Sequence, residues 1–274
     1  MNEAPTITLS NGTAMPRLGL GTWPMNDAEA ERVVGQALEL GYRLVDTAEN
    51  YRNETGVGRA LRQASRDEVF VTSKFNKRWH SVDGVRTAFE ASAEKLGVEY
   101  VDLLLIHWPN PDQDRYVDAW RGLIALRDAG LVKAIGTSNF KPAHLQRLIE
   151  ETGVAPEVNQ VQLSPVWAKP TERAFHAKHG IVTEGWSPLG KGTDLLDNPV
   201  LHEIAKERGR TPGQVVLRWA TQQDVVPIPK SADPGRLAEN LAVFDFDLTT
   251  DELAALSALD GTGKAAADSD RFGH

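Results

Sequence analysis

Eight short apolar runs alternate with helical stretches along this chain, and no other feature constrains the fold as strongly. The stretch 28–40, for example, places Val33, Ala37 and Leu40 on one helical face. Buried parallel strands read as short apolar runs, and helices connect them. Eight such alternations predict an α/β fold, a (β/α)8 TIM barrel. The predicted strands are residues 18–21, 43–46, 69–74, 102–107, 133–138, 157–162, 181–186 and 225–229.

The helical segments show apolar spacing and start signals. Thr211 with Gln214, and Thr249 with Glu252, stand at the spacing of a capping box. Two helices fall between the seventh and eighth strands and one follows the barrel, so we expect extra helices. The predicted helices are residues 28–40, 85–96, 116–127, 144–151, 200–208, 212–221, 237–243 and 249–259.

An N-terminal β-hairpin is also expected. Asn11-Gly12 lies between short apolar stretches at 6–9 and 14–15, and Asn-Gly is a strong hairpin signal. No linker or low-complexity stretch divides the chain, so residues 1–274 are predicted to form a single barrel domain. The Gly- and Ala-rich segment after Asp260 is expected to be irregular.

Charge and composition exclude several function classes. The formal net charge is −8 over 274 residues, which argues against nucleic-acid binding. There is no Cys, so thiolate catalysis, thiolate metal sites and disulfides are excluded, and no metal is expected. No run approaches a membrane span, and the first ten residues lack the features of a signal peptide. We therefore expect a soluble, cytoplasmic protein without a membrane partner, and a monomer.

Four residues that could form one proton-transfer site lie at or just after strand ends. Asp46, Lys74 and His107 close three successive predicted strands, and Tyr51 follows Asp46 by five residues. In a (β/α)8 barrel, the carboxyl ends of all strands open onto one face, where active sites form. These side chains are therefore expected to converge.

Their chemistry suits proton delivery to a carbonyl oxygen. A phenol with a pKa near ~10 is a poor acid at neutral pH, but a nearby ammonium stabilises its phenolate. Lys74 can supply that ammonium, Asp46 can hold it, and Tyr51 can donate the proton. His107 could hydrogen-bond a substrate oxygen.

Each residue taken alone has a simpler explanation. Tyr51 could be a surface anchor in a polar loop, and Asp46 could cap a helix. Lys74 could extend its ammonium to solvent, and His107 could be a core histidine. The convergence of four such residues at strand ends favours the catalytic explanation.

The chain resembles the aldo-keto reductases, and in particular the bacterial members similar to 2,5-diketo-D-gluconate reductases. The resemblance spans nearly the whole chain, and its segments follow in family order. They are GLGTW (19–23), DTAxxYxNE (46–54), TSK (72–74), LIHWP (105–109), GTSNF (136–140), VNQ (158–160), WSPL (186–189) and IPKS (228–231), where x marks positions outside the resemblance.

The resemblance implies reduction of an aldehyde, ketone or keto-sugar carbonyl, with NADP(H) bound by the barrel and without a Rossmann domain. The family's catalytic tetrad falls on Asp46, Tyr51, Lys74 and His107, with Tyr51 as general acid. Trp186 could stack on nicotinamide, and two cations with a hydroxyl near 230–236 suit a 2′-phosphate. The implied cofactor contacts are Gly21, Thr22, Asp46, Ser138, Asn139, Gln160, Trp186, Ser187, Leu189, Lys230, Ser231, Arg236, Glu239 and Asn240.

The substrate pocket is less well defined. Trp23, Phe75, Trp79 and Trp108 are its candidate walls, although these aromatic residues could instead pack loops. The neighbours of Tyr51 (Glu49, Asn50 and Arg52) are polar, so the specificity of a relative cannot be assumed.

Two other functions remain open from the sequence. A redox-sensing or regulatory subunit on the same fold, like the potassium-channel β-subunits, would bind NADPH and turn over slowly. A Schiff-base aldolase would use Lys74 as nucleophile. The aldolase is disfavoured because Asp46 would keep that lysine charged.

Overall fold

A computed structural model describes residues 4–273, and the ends of the predicted domain 1–274 lie outside them. The chain opens with an antiparallel hairpin of β1 (Thr6–Thr8) and β2 (Ala14–Pro16), as predicted. Buried Leu9 and Met15 pack with Leu44, at the start of a barrel strand. The hairpin therefore covers the N-terminal end of the barrel.

The barrel contains eight parallel strands that pair in chain order. The amide nitrogens of Gly19 and Gly21 donate to the carbonyl oxygens of Pro227 and Pro229, both at 3.1 Å, which joins the first strand to the last. The predicted (β/α)8 barrel is confirmed, with strand ends within two residues of expectation. The strands are β3 (Leu20–Gly21), β4 (Leu44–Asp46), β5 (Phe70–Phe75), β6 (Val101–Ile106), β7 (Val132–Ser138), β8 (Val158–Gln162), β9 (Val182–Trp186) and β10 (Val225–Ile228).

Ten α-helices are found in residues 4–273. All eight predicted helices are present, with ends within three residues of expectation, and both capping boxes form. The helices are α1 (Asp27–Leu40), α2 (Glu54–Leu61), α3 (Val82–Leu96), α4 (Tyr116–Asp128), α5 (Pro142–Thr152), α6 (Pro170–Lys178), α7 (Pro199–Arg208), α8 (Pro212–Thr221), α9 (Pro234–Leu241) and α10 (Thr250–Ser257).

Helices α2 and α6 were not predicted from the sequence. Helix α2 contains Gly56 and Gly58, which lower helix propensity. A Cβ on Gly56 would lie 2.0 Å from the carbonyl oxygen of Asp27, so close packing against α1 requires this glycine. Helix α6 has one fully buried side chain, His176, and therefore lacks an apolar stripe.

Strand alternation places the polar residues inside the barrel. Side chains two apart in a strand face the same side. Leu44 and Phe70 lie in the interior cluster, so Asp46 and Lys74 project into the same interior, nearer the C-terminal end. The barrel interior is thus apolar below and charged at the catalytic face.

The segment after α10 is irregular, as expected, but it packs across the barrel. Lys141 Nζ donates to Asp268 Oδ1 at 2.6 Å and to Asp270 Oδ2 at 2.5 Å. The Phe272 ring centroid lies 4.9 Å from that of Trp108. No helix in the described part of the chain is long and apolar enough to cross a bilayer.

Candidate active site

The loop after β4 holds Tyr51 at the barrel mouth. Tyr51 ends a short 3-10 helix, Glu49–Tyr51. Asn53 is fully buried behind it: its Oδ1 accepts from Thr47 Oγ1 at 2.7 Å, and its Nδ2 donates to the carbonyl oxygens of Thr22 and Met25. These bonds tie the loop to β4 and to the loop after β3, which restricts the position of the phenol.

The four predicted catalytic residues converge. Lys74 Nζ lies 2.6 Å from Asp46 Oδ1 and 3.4 Å from the hydroxyl of Tyr51. It also donates to the Thr47 carbonyl oxygen at 2.9 Å. The ring centroids of Tyr51 and His107 lie 5.8 Å apart, at an interplanar angle of 73°. Lysine thus bridges carboxylate and phenol, and the imidazole stands beside the phenol.

Burial sets the proton affinities here. Burial lowers the pKa of Lys74, but the charges of Asp46 and Tyr51 together raise it by more. The pKa of Lys74 is therefore above its ordinary value. Burial raises the pKa of Tyr51 more than Lys74 lowers it. The ammonium therefore lowers the pKa of Tyr51 as expected, but desolvation raises that pKa by more, so Tyr51 remains a protonated phenol.

Beneath this group lies a carboxyl that the sequence analysis missed. Glu184 on β9 is fully buried, and its Oε2 accepts from Gln160 Nε2 at 2.7 Å. The same nitrogen donates to Asp46 Oδ2 at 2.8 Å. An available signal was the two-residue spacing from Glu184 to Trp186, because it places both side chains on the interior face.

Three of the predicted nicotinamide contacts form a polar group at the ends of β7 and β9. Asn139 Nδ2 donates to Ser138 Oγ at 3.0 Å and to the His107 carbonyl oxygen at 3.1 Å. Trp186 Nε1 donates to Asn139 Oδ1 at 2.9 Å. Asn139 and Ser187 have φ of 65° and 50°, and strained non-glycine backbone often marks functional sites.

The predicted phosphate contacts lie at the start of α9. Lys230 and Arg236 are exposed, while Ser231 and Asn240 are buried. Asp233 caps α9 by accepting from the Arg236 amide at 2.9 Å. Two exposed cations beside a helix N-terminus suit a phosphate group, so these residues fit the cofactor that the resemblance implies. Glu239 is exposed on the same helix.

The remaining predicted cofactor contacts lie at or after the ends of β3 and β9, and they differ in how tightly they are packed. They are Gly21, Thr22, Ser187 and Leu189. A Cβ on Gly21 would lie 3.0 Å from the Ile228 carbonyl oxygen, so this position is tightly packed. Thr22 is fully buried and its hydroxyl donates to the Asp46 carbonyl oxygen at 2.9 Å, so it supports the strand end. Leu189 and Ser187 are partly buried after β9.

Of the four predicted pocket aromatics, three lie in loops that follow barrel strands and the fourth, Phe75, lies within a strand. Trp23 is 51% exposed, Trp79 is partly buried and Trp108 lies beside His107, with ring centroids 6.4 Å apart. Phe75 is 1% exposed and packs in the outer core, edge-on to His80. It neighbours inward-facing Lys74 in the strand, so it faces outward and follows the packing alternative.

Glu49 connects the Tyr51 loop to the loop after β5. Its carboxylate accepts from Trp79 Nε1 at 3.0 Å and from the Asn76 amide at 3.2 Å. It also forms an ion pair with Arg78, whose guanidinium lies 4.7 Å from the centre of the Trp79 ring. From the sequence, Glu49 was noted only as a polar neighbour of Tyr51. In the structure it positions Trp79 at the barrel mouth.

The chain is similar to known proteins along nearly its whole length. The model of the aldo/keto reductase family matches residues 9–260. The chain is 48% identical to 2,5-diketo-D-gluconic acid reductase B of Corynebacterium sp., with 95% of each chain covered. It is 46% identical to methylglyoxal reductase DkgA of Yersinia pestis, over 100% of this chain and 99% of the relative. A crystal structure of a Gox0644 variant in complex with NADPH superposes with a TM-score of 0.95 at 43% identity, covering 99% of both chains.

Proposed function

Because this chain belongs to the aldo/keto reductase family, it is an NADP-dependent oxidoreductase, and we propose that it reduces an aldehyde, ketone or keto-sugar carbonyl to an alcohol with Tyr51 as general acid. The observation that supports this most directly is the position of Lys74, between the carboxylate of Asp46 and the hydroxyl of Tyr51. An ammonium at that point stabilises the phenolate that remains once the proton has left.

The residues have distinct roles in this proposal. When bound, NADPH supplies the hydride. Tyr51 donates its proton to the carbonyl oxygen as the carbon is reduced, so C=O becomes CH–OH and the phenol becomes a phenolate. Lys74 stabilises that phenolate, and Asp46 keeps Lys74 charged and in place. His107 stands beside Tyr51 and hydrogen-bonds the carbonyl oxygen, which orients it toward the phenol.

The cofactor is held, in this proposal, by groups from several strand ends. Trp186 would stack on the nicotinamide, and Ser138, Asn139 and Gln160 would hydrogen-bond its carboxamide. At α9, Lys230 and Arg236 bind the 2′-phosphate, which gives a preference for NADPH over NADH. No Rossmann domain is needed in this proposal, because the loops at the strand ends supply these groups.

Charges near the mouth favour substrates that carry an anionic group. Lys77, Arg115 and Gln113 line an open cavity of about 410 Å³, together with Arg78, whose charge is paired with Glu49. The loops that contain them follow β5 and β6, so the cavity opens on the catalytic face. Among carbonyl compounds, keto acids and keto-sugar acids would be attracted to this cavity. One relative's name, 2,5-diketo-D-gluconic acid reductase B, is consistent with such a substrate.

The test is a steady-state assay of a panel of carbonyl compounds, in which the absorbance of NADPH is monitored. Aldehydes, neutral ketones, keto sugars and matched keto acids are offered with NADPH, and multiple turnovers are expected with at least one carbonyl class. A redox-sensing subunit would instead show at most one slow turnover per bound cofactor. Absence of turnover across the panel, with tight NADPH binding intact, would overturn the enzyme proposal in favour of that alternative.

The aldolase alternative has its own test. The pKa of Lys74 is raised because Asp46 and Tyr51 outweigh its desolvation, so the amine stays protonated and is a poor nucleophile. Borohydride trapping without nicotinamide should therefore leave Lys74 unmodified, as checked by peptide mass spectrometry. A trapped adduct on Lys74 would contradict the proposed role.

A further inference from the structure

Glu184 is a buried carboxyl to which the proposed mechanism assigns no role. It projects from β9 into the barrel and is 0% exposed. Its Oε2 accepts from Gln160, whereas its Oε1 has no hydrogen-bond partner among the described residues. A buried carboxylate with one oxygen unsatisfied is costly, so the group requires an explanation.

The hydrogen bonds determine which atoms Gln160 can use. Its Nε2 donates to Asp46 Oδ2 at 2.8 Å and to Glu184 Oε2 at 2.7 Å. An amide nitrogen has two hydrogens, so both are engaged. Only the carbonyl oxygen of Gln160 is left to meet a carboxamide, and it can only accept.

We infer that Glu184 is a positioning residue of this site: its Oε2 holds the Gln160 amide from below, so that the amide oxygen of Gln160 accepts from the carboxamide of NADP(H). This inference rests on the proposed function. The protonation state of Glu184 also sets the charge inside the barrel. When Glu184 is neutral, the Asp46 carboxylate and the Lys74 ammonium balance each other.

The surroundings of Glu184 favour the neutral form. Burial, and then the charge of Asp46, raise its pKa to about 8, against smaller lowering by Gln160 and Lys74. The charged groups that interact with it come from β4 and β5, and the ionisable phenol of Tyr51 comes from the following loop. On its two neighbouring strands it pairs with neutral residues, Gln160 and Val226.

Ionisation of Glu184 would change the site in a defined direction. A second, unpaired negative charge would oppose phenolate formation on Tyr51 and so slow reduction. The same charge would attract the positively charged nicotinamide ring of NADP⁺ more than the neutral dihydronicotinamide ring of NADPH. Reduction should therefore weaken, and the affinity ratio should move toward NADP⁺, as the pH rises through about 8.

The first measurement needs no cofactor. Infrared difference spectra of the protein alone, titrated from pH 6 to 9.5, should contain the C=O band of a protonated carboxylic acid that disappears near pH 8. Glu184→Gln should remove that band. Glu157→Gln is the matched control, because Glu157 is also buried with a raised pKa but interacts with Ile135 and Arg127 instead. An ionised Glu184 at pH 7 would overturn the inference whatever the enzyme's activity.

The second measurement compares three variants by cofactor binding and turnover. Glu184→Leu should weaken NADPH binding or lower kcat by about tenfold or more, since it removes the acceptor that holds Gln160. Glu184→Gln keeps an acceptor oxygen, so it should recover most of that loss and remove the alkaline change in the NADPH to NADP⁺ affinity ratio. Glu157→Gln should retain the wild-type profile.

The outcomes separate the two proposals. If Glu184→Leu is insoluble, the pH dependence of Glu184→Gln still decides. A wild-type pH profile and affinity ratio in Glu184→Gln would overturn the inference while leaving carbonyl reduction by Tyr51 intact. Absence of carbonyl turnover in every variant would count against the proposed function, and the infrared and binding results would still test Glu184.

Discussion

The Lys74 ammonium lies 2.6 Å from the Asp46 carboxylate, and the two side chains are 0% and 2% exposed. Burying an ion pair costs desolvation energy that its attraction offsets only with good geometry. A barrel could replace this pair with apolar residues, as it does in the layer below. Its retention at the catalytic face is therefore best explained by the contact that Lys74 makes with Tyr51.

Tyr51→Phe should abolish carbonyl reduction while leaving NADPH binding largely unchanged. It removes the proposed proton donor but keeps the ring beside His107. General acid catalysis contributes ~10²–10⁴-fold, and kcat should fall by about that factor. Tyr100→Phe, at the opposite end of the barrel, is the control. A variant retaining more than about a tenth of the wild-type rate, with chemistry rate-limiting, would show that Tyr51 is not the general acid.

Lys74→Met should shift the ionisation of Tyr51 to higher pH, since Lys74 is the group that lowers that pKa. Turnover should slow strongly. The change also leaves Asp46 buried without its partner, so the free energy of unfolding should fall by roughly 3–5 kcal/mol. Urea unfolding and a pH–rate profile measure both effects, with exposed Lys206→Met as control. An unchanged pH–rate profile in folded protein would rule out the pairing.

Arg236→Ala should weaken NADPH binding and affect NADH little. The guanidinium can hold a phosphate through two parallel hydrogen bonds. Charge-assisted bonds contribute about 1.5–3 kcal/mol, so a loss of roughly 10–150-fold in affinity is expected. Dissociation constants for both cofactors follow from quenching of Trp fluorescence, with exposed Arg62→Ala as control. Equal losses for the two cofactors would mean that Arg236 shapes its loop without contacting the 2′-phosphate.

His176 should make the fold sensitive to acid. It is fully buried between Asn159 and Thr183, and burial lowers its pKa to about 4. Because the unfolded chain binds a proton near pH ~6.5 and the folded chain does not, this stability is present above ~6.5 and is lost as the pH falls toward 4. The loss from this residue should reach about 3 kcal/mol.

The variant His176→Gln isolates this contribution. Its free energy of unfolding should be lower than wild type at pH 7 but should change less between pH 7 and 4.5. His80, whose pKa is also about 4, is present in both proteins and cancels in the comparison. Exposed His202→Gln serves as control. If the wild type and His176→Gln lost equal stability over this range, His176 would not be the titrating group.

Much of the site could be predicted because a barrel converts strand ends into neighbours. Asp46, Lys74 and His107 each close an apolar run, and the fold alone brings such residues to one face. Period-two alternation also could have identified Glu184, which lies two residues before Trp186 in the same strand. It could not have predicted the two bonds from Gln160 Nε2, because those depend on the distance across the barrel to Asp46.

What the sequence determined by itself was therefore the pattern: eight strands, their order, the N-terminal hairpin and the residues at the strand ends. Local periodicity and turn chemistry specify these features before any distant contact forms. Only the tertiary structure decided that α2 is helical despite two glycines and that Tyr51 remains protonated. The first depends on the close approach of α2 to α1, and the second on burial, which raises the pKa of Tyr51 more than Lys74 lowers it.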